Sequence, residues 1–170
     1  MDLSTYIDIT EDKLVNSFDV SRDFKIDGFD YDLFANYNIR NERFLLIRKA
    51  VIYAFENNEY ILMKAYKSLD KNDYNEFTDN LIKSISVIVN PSREHMSSAI
   101  TGVILVENIF EEDFDYIKKS IKKFKYNRGF AFGFKGWVDL RLILISIKDG
   151  IISVNKKGKE VASFYNLNSS

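Results

Sequence analysis

The sequence predicts an α+β fold: a mixed β-sheet that opens with a three-stranded N-terminal meander and carries helices packed on it. Three observations lead there. Residues 29–40 alternate apolar and polar with period two, two later segments carry apolar stripes of period 3.6, and the two kinds of segment interleave along the chain. With 170 residues, 46 % hydrophobic and including 14 Phe and 10 Tyr, the chain is long enough to close one core. The expectation is a single domain over residues 1–170, with an N-terminal helix near 10–18 and a body over about 24–165.

Each element has its own signal. Residues 10–18 read as a short helix, with Thr10 suited to the N-cap, Glu11 and Asp12 to the first turn, and Leu14, Val15 and Phe18 on one face. The first strand sets Phe29, Tyr31, Leu33, Ala35, Tyr37 and Ile39 on one side. Arg40-Asn41-Glu42 permits a reversal into a more buried strand over 44–55. Asn57-Asn58 tolerates a type I′ turn into a third strand over 59–66. Asn72 or Asp73 can cap a helix whose stripe is Tyr74, Phe77, Leu81, Ile85 and Ile88, stopped by Pro91.

A polar segment, 92–98, leads into a strand over 100–107. The next helix turns Phe114, Ile117, Ile121 and Phe124 inward and Lys118, Lys119, Lys122 and Lys123 outward. Phe130, Phe132 and Phe134 alternate with Ala131, Gly133 and Lys135 as a core strand. A long strand over 136–148 turns at Asp149-Gly150 into 151–155, and 157–165 reads as a terminal helix. The order is α-β-β-β-α-β-α-β-β-β-α.

Composition excludes more than it names. Without Cys there is no disulfide, thiolate zinc site, iron–sulfur cluster or cysteine nucleophile, and one His excludes multi-histidine metal sites. No G-x-G-x-x-G, G-x-x-x-x-G-K-[ST] or G-x-S-x-G occurs, so no cofactor is expected. The start of the chain lacks a basic and apolar leader pattern, and the apolar runs 50–55 and 142–147 are far shorter than a membrane span, so the expected location is cytoplasmic.

The net charge of −1 averages over a gradient. Residues 1–40 hold nine acids and four bases, whereas 118–160 hold twelve bases and three acids. Either the two ends attract each other in the fold, or the C-terminal third meets an anionic partner. Lys118, Lys119, Lys122, Lys123, Lys125 and Arg128 are the candidate patch for an anion or nucleic acid.

Four constellations suggest chemistry. Arg128-Gly129-Phe130-Ala131-Phe132 is similar to the start of the ribonucleoprotein octamer of RNA-recognition motifs. Gly133 and Lys135 then break the pattern, and a Phe-rich core strand is the preferred reading. The α-β-β-β-α-β order resembles the core of restriction-endonuclease-like nucleases, for which Asp30 and Asp32 are the acids at hand. No acid-x-Lys follows on 44–55 or 59–66 to complete a metal site. His95, with Glu94, Ser97 and Ser98 close by, is the one candidate imidazole base. Trp137, Asp139 and Arg141 share one face of an otherwise apolar strand. They form either an ion-paired structural cluster or a ligand pocket with Trp137 as a wall and Arg141 facing an anion.

Segments 95–98, 100–103, 132–137 and 155–159 together resemble an uncharacterised prokaryotic domain family over roughly residues 24–164. The resemblance implies a stand-alone cytoplasmic domain of unknown function and no established site residues. The function expected on all these grounds is a non-enzymatic binding or interaction module. The alternative is a nuclease-like or other hydrolase with a non-standard or degenerate site built on Asp30, Asp32 or His95.

Overall fold

The computed structural model describes residues 1–42, 54–92 and 95–166. Helix α1 runs Leu3–Leu14, followed by strands β1 Asp19–Ile26, β2 Phe29–Glu42 and β3 Ala54–Leu69. Then come α2 Lys71–Ile88, β4 His95–Ile109, α3 Glu111–Lys123, β5 Asn127–Gly129, β6 Trp137–Ser146 and β7 Ile151–Val154. Two 3-10 turns, Lys157–Glu160 and Ala162–Tyr165, close the chain. The fold is α+β, as the sequence predicts, and β1-β2-β3 is its N-terminal meander.

One mixed sheet runs in the order β1-β2-β3-β4-β6-β5, with β7 also paired to β6. The meander is antiparallel throughout. β4 lies parallel to β3, and β6 parallel to β4, because α2 and α3 carry the chain back between them. Both helices pack on one face, where Phe77, Leu81, Ile117 and Ile121 meet Leu62, Ile100, Ile104, Leu140 and Leu142. The other face buries Leu33, Met63, Val103, Leu105 and Ile143 under Tyr6, Ile7 and Leu14 of α1 and under Tyr165. Gly102 of β4 allows α2 to sit close, since a Cβ there would stand 2.5 Å from Leu81 Cδ2 and 3.1 Å from Phe77 Cε1.

Several expectations are corrected in position. The first helix starts at Leu3 with Asp2 as its N-cap; Thr10 lies inside it, buried, and donates its hydroxyl to Tyr6 O. Strand β1 carries no expectation from the sequence, although Asp27-Gly28, both at positive φ, makes the tight turn that joins it to β2. Asn57-Asn58 is not a turn: it lies within β3, opposite Ile39 and Asn38. The strand expected over 44–55 falls mostly outside the described residues, and its last two positions open β3. The cap of α2 is Asp70, reciprocated by Asp73 in a capping box. The polar segment 92–98 ends early, because β4 already begins at His95. The terminal segment forms 3-10 turns rather than an α-helix.

The alternation in β2 also breaks. Phe29 and Tyr31 pack on the α2 face, yet Leu33 and Ala35 pack on the α1 face. The inversion falls at Asp32, which lies opposite Asp23 of β1. Asp23 adopts φ 51 and interrupts the pairing between Arg22↔Leu33 and Phe24↔Tyr31.

Candidate functional site

Position along β6 decides what its odd-numbered side chains meet. Ile143 and Ile145 point into the core under α1, whereas Trp137, Asp139 and Arg141 lie beyond α1's cover on the same face. Arg141 keeps only 12 % of its side chain exposed and is bound by two carboxylates: Nη1 to Glu59 Oε2 at 2.6 Å, and Nη2 to Glu160 Oε2 at 3.1 Å. Burial opposes its charge, but hydrogen bonds and the charge of Glu59, then of Glu160, outweigh it and raise the guanidinium's pKa. Asp139 accepts from Asn127 Nδ2 at 2.8 Å and pairs with Lys157 at 3.3 Å. Both charges are therefore partnered: Asp139 from the adjacent β5, Arg141 from β3 two strands away, and each also from the turn after β7. Arg141 faces the chain's own carboxylates, not an open anion site. Beside it, a cavity of about 320 Å³ is walled by Leu14, Phe18, Ile61, Val161 and Phe164, with Thr101 and Tyr165 also lining it.

Asp30, Asp32 and His95 do not come together. Asp30 is exposed, pairs with Lys25 at 3.1 Å, and offers its backbone oxygen to Lys64. Asp32 accepts the Ala65 N–H at 2.7 Å where β2 and β3 part. His95 opens β4 in register with Glu56. The strands place it several residues along the sheet from Asp32 and two strands away. Ser97, one of the two hydroxyls considered beside it, donates to Asn57 Oδ1 at 2.7 Å. Among the described residues no group of three or more His, Cys, Asp or Glu could hold a metal ion.

Of the six basic residues marked from sequence, Lys118, Lys122, Lys123 and Lys125 line two hollows, together with Lys156, Lys157 and Lys159. Helix α3 buries Ile117 and Ile121, and this turns its lysines outward. Lys118 and Lys122 line a hollow of about 690 Å³ whose opposite wall is β7 with Lys156 and Lys159. Lys122 and Lys156 are shared with a second hollow, about 460 Å³, which adds Lys123, Lys125 and Lys157. Lys119 is exposed on α3 but lines neither hollow. Arg128 is exposed on β5, with its guanidinium 5.4 Å from the centre of the Phe130 ring. Among the described residues, Lys122, Lys123, Lys125, Lys156 and Lys159 have no carboxylate in ion-pair range, and the one acid lining the hollows, Asp139, is taken by Lys157. The acids near the N-terminus pair locally instead, Asp8 and Glu11 with Arg22 and Asp30 with Lys25.

Asn155 explains how the far wall is held. The residue is 1 % exposed, and its side chain makes all four hydrogen bonds an amide can make. Oδ1 accepts from Leu142 N at 3.0 Å and Gly158 N at 2.7 Å; Nδ2 donates to Leu140 O and Phe124 O, both at 3.2 Å. It thereby fills the gap between β5 and β7 along the edge of β6 and ties that edge to the end of α3. Gly158 closes the turn where a Cβ would meet Asn155 Oδ1 at 2.9 Å and Leu142 O at 3.0 Å. With Asn155 and Gly158 buried, Lys156, Lys157 and Lys159 project outward.

Fold and site define a class: a mixed-sheet α+β protein with a lysine-rich flank held by a saturated buried amide. The chain belongs to the family described as a domain of unknown function, DUF8052, whose model matches residues 2–167. The match takes in α1 and so extends past the resemblance over residues 24–164. No curated protein and no solved structure matches the chain. Among the described residues no helix is long and apolar enough to cross a membrane.

Proposed function

We propose that this chain is a non-enzymatic binding module that takes a polyanion on the flank formed by α3, β7 and the turn after it. One observation carries the reading: lysines from two walls converge on connected hollows where, among the described residues, Asp139 is the one lining carboxylate and Lys157 already holds it. Like charges held close repel, and an anion that enters relieves that repulsion while releasing its own counterions. The buried bonds of Asn155 fix the lysines' backbone in advance, which lowers the ordering cost of binding. Small-ion chemistry fits less well, because the lysines are spread along two hollows and not gathered on one point.

Retention on immobilised heparin tests it. The protein should bind at low salt and elute as salt rises. The pair Lys122→Glu and Lys156→Glu should pass through unretained with an unchanged melting temperature, since both side chains are exposed. A wild-type protein that flows through at 50 mM salt, about the low end for such contacts, would overturn the reading.

A further inference from the structure

The loop between β5 and β6 does the reverse of what its sequence suggests. Phe132 and Phe134, expected in a core strand, are 103 % and 84 % exposed. The loop is nonetheless well ordered by its own backbone. Phe130 N–H donates to Gly136 O, Gly133 and Lys135 N–H to Phe130 O, Phe134 N–H to Ala131 O, and Gly136 N–H to Gly133 O, all between 2.9 and 3.2 Å. Ala131, Phe132 and Gly133 take φ of 47°, 55° and 89° in succession. For a bulky residue such as Phe132 this region is strained, and such strain marks sites where the surroundings enforce it. Here the strain serves to hold two phenyl rings in water, against the tendency of apolar surface to bury itself.

We propose that this loop is a base-stacking platform and that the polyanion of the flank is a single-stranded nucleic acid. The proposal rests on the polyanion reading and names its ligand. A groove of lysines that follows a phosphate backbone, ending on aromatic rings open for stacking, is the combination that single strands require. Here the two parts are joined by β5. Asn127 lines the lysine hollow, and Phe132 lies five residues on, at most about 17 Å away along the chain. Arg128 adds a cation between them. In a duplex the base faces are stacked on each other, leaving the two rings nothing to cover. A lipid surface would use the rings, but its flat layer of headgroups reaches poorly into lysine-lined hollows.

Trp137, the chain's only tryptophan, stands exposed at the end of this loop and reports the contact by its fluorescence. A 15-nucleotide single strand should quench it and bind at least tenfold more tightly than a duplex of equal length. The exposed double substitution Phe132→Ser and Phe134→Ser should lose that preference while keeping heparin retention and the melting temperature. Phe132→Leu with Phe134→Leu keeps apolar area but removes the π-faces, and should also lose it. Equal affinity for single strand and duplex in the wild type, or single-strand binding unaffected by the Ser pair, overturns the platform and leaves the polyanion reading standing. Tighter binding to vesicles of phosphatidylserine and phosphatidylcholine, retained by the Leu pair, overturns it in favour of lipid. Failure to bind heparin or any oligonucleotide removes both proposals.

Discussion

Asp32 Oδ2 accepts the backbone N–H of Ala65 at 2.7 Å, at the point where β2 ceases to pair with β3. A carboxylate stands in for the next carbonyl of the ladder, so the separating strands leave that amide satisfied. This gives a structural account of an acid that, from sequence, invites a metal-site reading. Its bond lies within the meander, between β2 and β3, and does not need an ion.

The strongest dependence of stability should be on Asn155. Replacing it with Ala leaves Leu142 N, Gly158 N, Leu140 O and Phe124 O without their side-chain partner. At ~1–3 kcal/mol for each buried group left unpaired, and with some groups rescued by water, a loss of at least ~3 kcal/mol is expected. Urea unfolding of Asn155→Ala would measure it, and a loss under ~1 kcal/mol would contradict the role assigned here.

Gly102→Ala should cost ~1–3 kcal/mol, because the new methyl overlaps Leu81. The overlap involves the end of a flexible side chain, so the cost should couple to that residue. In the double variant with Leu81→Ala, the combined loss should fall short of the sum of the two single losses. Strict additivity in denaturation midpoints would show that α2 does not rest on this glycine.

Arg141→Met should destabilise by ~1.5–3 kcal/mol, the range for hydrogen bonds to charged groups. A fully buried pair would cost more, ~3–5 kcal/mol when one partner is removed, but Glu59 and Glu160 keep 35 % and 50 % of their side chains exposed and stay hydrated. The deficit should shrink in concentrated salt, which screens the exposed ends of the ion pairs. A deficit that is the same at about 0.05 M and about 1 M salt would point to lost packing alone.

Stability should fall steeply at alkaline pH. Burial pushes Tyr74 up to about 12, with Tyr116 adding to the effect, and burial likewise raises Tyr6, Tyr31, Tyr66 and Tyr165. A phenol whose pKa is higher folded than unfolded contributes its full stability below the unfolded value near 10, and loses it as pH climbs through the folded value. Ionisation of these five tyrosines should therefore coincide with loss of the folded circular-dichroism signal above pH 10, and their ionisation near 10 in a folded chain would refute this.

What could be read from the sequence was periodic. Helices α2 and α3 and the hairpin at Asp149-Gly150 follow directly from their stripes and turn residues. Strand β1 escapes because Arg22 takes one of its half-buried positions, between Val20 and Phe24, and interrupts the apolar alternation. Asn57-Asn58 misleads because the long pairing of β3 with β2 overrides a turn preference, and Thr10 misleads because a cap residue can also be buried by bonding to its own helix. On the flank, the α3 lysines were legible from the helical period. Lys156, Lys157 and Lys159 join them only through Asn155, whose amide reaches Phe124, 31 residues earlier. Phe132 and Phe134 show the limit most clearly: alternation with small residues resembles a core strand, and only the loop's left-handed backbone reveals that the rings face water.

The interruption at Asp23 has a bearing on how copies of this protein meet in concentrated solution. β1 is one border of the sheet, and a straight border strand offers unpaired backbone groups to any passing chain. Here the run is broken midway by a residue at φ 51 and set with the charges of Asp19, Arg22, Asp23 and Lys25. The opposite border is divided between β5, three residues long, and β7, four. Neither margin presents a long, flat template, so the sheet is guarded against fibrillar growth by strand addition.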